Sequence, residues 1–384
     1  MKNLYRFLAI IVGLVFIVSG LVKVDDPTGT AIKFEEYFHV FADDVSGTIG
    51  ALEMFFLFLA DWALPMSVLF SSFELVLGVA LVVGYKEKFS MRATLALLLF
   101  FGLLTFYSAW FNKVTDCGCF GDAVKFTPWG SFTKDVILLV LLLGAMLLKP
   151  KKSLTQYGMY GNSYTVKKSS PAWKFIVVVI ASVFSLGTCY YALNHLPPVD
   201  FRPYKVGANI QKMMSPDVPC ESVYYMEKDG EEKMFTTYPT DPSWKFVRME
   251  ITNEEECKSL IPDYYISNAE GEDFTALTTN ATRLLVIVQN VSEIEKEEIT
   301  SIKKMLTSLE STVGSMVVTS DANNFEKFMH DSQWNIPYYY ADATVLLAMV
   351  RSNPGILLID NGTILGKWHY NDIPTADEIS QLLN

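Results

Sequence analysis

The sequence predicts a membrane-spanning all-α bundle followed by an α/β domain. Three observations lead there. Five stretches within residues 1–194 are long and apolar. Charge divides sharply: residues 1–194 hold 16 Lys/Arg against 13 Asp/Glu, whereas residues 195–384 hold 15 against 29. From about Asp263 onward, strand-like and helix-like runs alternate.

A bilayer span needs roughly 20 apolar residues. Leu4–Val22, Met66–Val83, Ala93–Trp110, the shorter Phe132–Leu148 and Trp173–Leu193 meet that need. Lys2 and Arg6 give the first a basic start, but no small-residue cleavage site follows, so it reads as an uncleaved anchor. Ile49–Trp62 is also apolar, yet Asp61 and Pro65 leave no loop that would separate two full spans. It reads as an interfacial or tilted helix feeding the second span. Ile32–Phe41 places Phe34, Tyr37, Phe38 and Phe41 at helical spacing, and reads as an amphipathic surface element. Glu53 and Glu74 sit in or beside apolar helices, where a carboxylate is costly without a partner. Glu74 is a candidate to pair with Lys23, or with it to bind a cofactor or relay a proton.

Loop charge sets the expected orientation, because cytoplasmic loops collect Lys and Arg. With the N-terminus inside, eleven of sixteen basic residues fall on the cytoplasmic side, including Lys86, Lys88, Arg92, Lys149 and Lys174. Five spans then place residues 195–384 on the far side, the periplasm of a bacterium. The loop Phe111–Thr133 faces the same way.

That loop contains Asp116-Cys117-Gly118-Cys119-Phe120-Gly121-Asp122. Cys117 and Cys119 can close a small, strained and relatively oxidising ring, with Gly118 supplying backbone freedom. The spacing equally allows ordinary thiols or a static disulfide. With Ser19-Gly20-Leu21-Val22-Lys23, Asp26-Pro27, Phe34-Glu35-Glu36-Tyr37-Phe38, Glu74, Trp129 and Phe132-Thr133-Lys134, the loop resembles DoxX/MauE-type membrane proteins, in particular the version common in Bacteroidota. The resemblance covers about residues 1–149. It implies a four-helix bundle working in thiol or quinone redox chemistry, as in methylamine utilisation. Cys117 and Cys119 are then the candidate redox pair. Quinone is the candidate cofactor, with Lys23 and Glu74 as candidate residues to bind it.

Residues 150–171 form a polar connector, and 195–262 a mixed β region with strands at Ser222–Met226 and Lys233–Thr237 around the turn signal Asp229-Gly230. Cys220 and Cys257 can be bridged or free. Beyond them the expected order is strand Arg283–Gln289, helix Ser292–Leu309, strand Ser315–Thr319, helix Asn323–Met329, strand Pro337–Tyr340 and helix Ala343–Val350. A hairpin across Asp360-Asn361-Gly362 and a last helix, Thr375–Leu383, complete it. This succession, with Asn353-Pro354 before the hairpin, resembles a thioredoxin-like fold over residues 263–384. The family's CxxC position instead holds Asn290-Val291-Ser292-Glu293, and no cysteine follows Cys257. A thiolate is required for exchange, so this domain is expected to bind or dock rather than react.

The acidic balance argues against nucleic-acid binding. His39, His195, His330 and His369 show no metal-ligand spacing, and neither GxGxxG nor GxxxxGK[ST] occurs. Two functional readings follow. One is a membrane protein supporting periplasmic thiol–disulfide chemistry for a client protein, at most an oxidoreductase-like activity. The other is a non-catalytic membrane anchor displaying an interaction domain. Lipid is an expected contact in both.

Overall fold

The structure, a computed structural model, describes residues 2–114, 118, 120–124, 126–150, 155–157, 163–165, 171–216, 218–253, 256–309 and 312–383. Packing divides the chain into two units, Met1–Phe201 and Arg202–Asn384.

The first unit contains α1 (Lys2–Asp25), α2 (Pro27–Val45), α3 (Gly50–Asp61), α4 (Ala63–Val83), α5 (Glu87–Phe111) and α6 (Pro128–Leu148). A two-stranded pair follows, β1 (Thr155–Tyr157) with β2 (Ser163–Thr165), and then α7 (Ala172–Asn194). Five of these helices, α1, α4, α5, α6 and α7, are long and apolar enough to cross a membrane. Helices α1, α4, α5 and α6 close a ring, each packed on two neighbours, and α7 lies outside it against α4 and α1.

Helix contact within lipid depends on close packing rather than on expulsion of water. Helices α1 and α4 achieve it with glycine. A Cβ at Gly78 would lie 2.8 Å from the Gly13 carbonyl oxygen, and one at Gly20 would lie 2.7 Å from the Leu75 nitrogen.

Polar contacts close both ends of the bundle. At one, the Arg6 guanidinium donates to the carbonyls of Leu81, at 2.8 Å, and Val82. Lys174 donates to Gly84 O at 3.1 Å, and Lys149 lies 2.9 Å from Glu87. At the other, Tyr107 and Lys113 both bond Asp44. There the Val199 N–H, just beyond α7, donates to Asp25 at 3.1 Å.

Helix α2 differs from its expected surface role. Its apolar stripe is core: Phe34, Tyr37 and Phe38 are buried, and Phe34 packs on Phe70, Phe100 and Phe101. The spacing of the aromatics is as predicted, but the stripe meets the bundle rather than the lipid interface. Asp26 caps α2 by accepting from Gly29 N at 2.8 Å. Helix α3 has 12 residues, about 18 Å of length against the roughly 30 Å of a hydrocarbon core. Met54, Phe55 and Phe58 are exposed along it.

The second unit begins with α8 (Ile210–Met214) and the antiparallel sheet of β3 (Ser222–Lys228), β4 (Glu231–Phe235) and β5 (Lys245–Ile251), ordered β4-β3-β5. Asp229 and Gly230 take φ of 55° and 85° in the β3–β4 turn, the left-handed pair that a two-residue hairpin prefers. Strand β5 was not expected. Cys220 and Cys257 form a disulfide beside this sheet.

Next come α9 (Ala276–Thr279), β6 (Arg283–Val288), α10 (Lys296–Leu309), β7 (Gly314–Thr319), α11 (Phe325–Asp331), β8 (Tyr338–Tyr340), α12 (Ala343–Met349), β9 (Gly355–Asp360), β10 (Thr363–His369) and α13 (Ala376–Leu382). The sheet order is β10-β9-β6-β7-β8, with β6, β7 and β8 parallel and β9 and β10 antiparallel. Leu284, Val286 and Val288 of β6 pack with Ile302 and Leu309 of α10, Phe325 and Ile379 in one core. Helix α10 starts later than its sequence signature suggests. The Asn290 carboxamide oxygen accepts from the Ser292 backbone N–H at 3.0 Å and from its hydroxyl at 2.7 Å. Ser292 therefore closes a short 3-10 turn instead of capping the helix.

Candidate functional site

The site lies at the bundle end where α1, α2, α5 and α6 meet. Cys117 and Cys119 lie outside the described residues. Gly118 between them is described, with φ of 62°. A Cβ on Gly118 would come 2.9 Å from Cγ of Lys33, so both its conformation and the close approach favour glycine.

Gly118 lines a cavity of about 20 Å³ together with Lys23, Thr30, Lys33, Tyr37 and Thr105. Lys23 stands in the last turn of α1, and its ammonium reaches across to α4, 2.7 Å from Glu74 Oε2. Both side chains are about 5% exposed. The same ammonium lies 4.4 Å from the Phe101 ring centre, a cation–π contact. The two residues singled out in sequence are thus a buried ion pair.

A second carboxylate comes from α6. Asp135 is buried, and its Oδ2 accepts from the Thr105 hydroxyl at 3.0 Å. Lys134 Nζ lies 2.9 Å from Asp135 Oδ1 and 5.1 Å from the ring centre of Phe120, the residue after Cys119. Lys134 also lines an open, largely apolar groove of about 550 Å³ along α1 and α6, with Val15, Trp129, Thr133 and Ile137. Sequence reasoning missed Thr105 and Asp135. A signal existed for Asp135, a carboxylate within an apolar span; none existed for Thr105, one hydroxyl among apolar neighbours.

Volume decides what these spaces can hold. One water needs roughly 10–15 Å³ on this measure, so the cavity beside Lys23 suits a water and not a quinone ring. The groove falls in the range of about 300–1,000 Å³ typical of small-molecule sites. Outside the spans, Lys113 and Tyr107 hold the Asp44 carboxyl below its ordinary range by hydrogen bonding to it.

In the C-terminal unit, the loop after β6 is tied down. Asn353, whose peptide bond to Pro354 is cis, accepts from Gln289 N at 2.9 Å and donates to Asn290 O at 2.7 Å. Among the described residues, no three His, Cys, Asp or Glu gather as a metal site.

Five spanning helices and this second unit define a multi-pass membrane protein with a sheet-rich C-terminal domain. Residues 1–148 match the family described as methylamine utilisation protein MauE, so the membrane part is MauE-like. Residues 220–253 match a domain of unknown function, DUF8463. No curated protein matches the chain.

Proposed function

We propose that the chain is a thiol–disulfide redox protein working at the outer face of a bacterial inner membrane. The Cys117–Cys119 disulfide takes two electrons and two protons from a client dithiol in the periplasm. The resulting Cys117/Cys119 dithiol passes them to a membrane quinone, giving hydroquinone and restoring the disulfide. The carrying observation is that Gly118, covalently between the two cysteines, lines a cavity together with Lys23, whose ammonium is paired with the buried Glu74. The MauE match over residues 1–148 supports the same reading. The groove beside Lys134 has the size and apolarity for the quinone ring.

The C-terminal domain serves this scheme as a thioredoxin-like docking module without its own thiols. Its strand order supports that reading. The test traps partners: a Cys119→Ser chain should capture a mixed disulfide through Cys117, and the wild-type pair should shift from thiol to disulfide when quinone is supplied. Two cysteines that stay free thiols under every condition would refute the scheme.

The tied-down loop after β6 and the Cys220–Cys257 disulfide favour a second reading, a membrane anchor for an interaction domain. On that reading, a Cys117→Ser/Cys119→Ser chain keeps its function, whereas a chain lacking residues 200–384 loses it.

A further inference from the structure

We infer that Thr105, Asp135 and Lys134 form a proton path joining the cavity under Gly118 to the groove along α1 and α6, with one internal water completing it at the Lys23 end. The inference rests on the redox reading and deepens it by naming how protons reach the acceptor.

The water is argued from an unmet need. The Thr30 hydroxyl is buried and has no hydrogen-bond partner among the described residues. A buried orphan of this kind calls for an explanation, commonly a water. The cavity of about 20 Å³ admits one. Thr30, Thr105 and the Lys23 ammonium all line it, and three partners is the usual number for a buried water. Lys33 also lines the cavity, but its ammonium is engaged by Glu36 at 2.9 Å.

From that water the path continues through observed bonds. The Thr105 hydroxyl can accept from the water while donating to Asp135 Oδ2 at 3.0 Å. Its other acceptors, the carbonyls of Phe101 at 3.1 Å and Gly102 at 3.3 Å, lie within its own helical turn. Asp135 Oδ1 faces the Lys134 ammonium at 2.9 Å, and Lys134 lines the groove. The hydroxyl and the carboxylate can each take a proton on one side and release one on the other, whereas the ammonium must release a proton first and regain one as the neutral amine.

Oxidation of the dithiol by a quinone breaks two S–H bonds, forms one S–S bond and forms two O–H bonds on the hydroquinone. The path carries one of the two protons; the other thiol proton is released to the surrounding water, and the hydroquinone takes its second proton from that water. Lys134 gives a proton to the ring oxygen and regains one through Asp135, so the path ends each cycle unchanged.

The experiment uses the full chain in lipid nanodiscs, reduced beforehand, with Cys117/Cys119 oxidation followed by thiol labelling. A short-tailed benzoquinone is one acceptor. Ferricyanide, which takes electrons without protons, is the other. Thr105→Val should slow the quinone reaction roughly a hundredfold, the scale of a lost acid–base group. It should leave the ferricyanide reaction unchanged, and Thr105→Ser should restore the quinone rate. Equal quinone rates for wild type and Thr105→Val would overturn the path. So would slowing with both acceptors, or a Thr105→Ser chain as slow as Thr105→Val, because either points to packing. A wild-type chain that quinone does not oxidise defeats the redox reading itself, and the path with it.

Discussion

Removing either member of the Lys23–Glu74 pair strands a charge in the buried interior of the bundle. Lys23→Met is expected to lower stability by about 3–5 kcal/mol, and Lys23→Met/Glu74→Leu by much less, because the double change leaves no buried charge. A double-mutant cycle on the detergent-solubilised chain measures this, and independent, additive losses would show that the pair is not coupled. At this scale the sequence was partly legible. A lysine and a glutamate in apolar helices stand out because each needs a partner. Thr30 and Thr105 do not stand out, since threonine is ordinary in a span and only the fold shows what its hydroxyl faces.

Helices α1 and α4 meet on glycine, and their separation depends on it. Gly78→Leu must push the Gly13 carbonyl and Ile17 aside, at a cost of about 1–3 kcal/mol for overpacking. A lowered Tm of the purified chain is the check, whereas Gly102→Leu, at a position with no neighbour within 4 Å, should be near neutral. Helix α12 is expected to respond to pH. Asp342 caps it by accepting from Thr344 N at 2.8 Å, and hydrogen bonds from Thr344 hold its carboxyl below the ordinary 3.8. A depressed folded-state value stabilises above the unfolded value, so the cap is fully effective above about pH 4 and is lost as pH falls through the folded value. Amide exchange in Ala343–Met349 should therefore rise on acidification, and an Asp342→Asn chain should show a weaker rise. The Cys220–Cys257 bridge spans 37 residues. Replacing both with Ser should cost about 4 kcal/mol on the chain-entropy account, read as a lower urea midpoint of the C-terminal unit. Elements with an apolar buried face were the readable ones, as the α10 stripe and the apolar run of β9 show. Strand β5 escaped because it has no buried face: Phe246, Val247 and Met249 are all exposed, so its sequence carries no inside–outside alternation.

Across the whole molecule, the five spanning helices were legible because hydropathy over some 20 residues is a strong signal. How they pack was not, since any apolar helix satisfies lipid. The ring of α1, α4, α5 and α6 closes without α7, whose most apolar stretch is only 17% buried. A chain ending at Lys149 should therefore still assemble. Protection of Lys23 from an amine-reactive label, equal to that in the full chain, would report an intact core, and labelling of Lys23 would contradict it. The position of α7 also has a consequence in time. The ring is complete in sequence by Leu148, before α7 and the C-terminal unit have been synthesised. Since chains fold from the N-terminus as they emerge, the Lys23–Glu74 pair can be buried before any strand of the second unit exists. A defect in that later unit then arises on a finished bundle, and a defective bundle reveals itself while the ribosome is still attached.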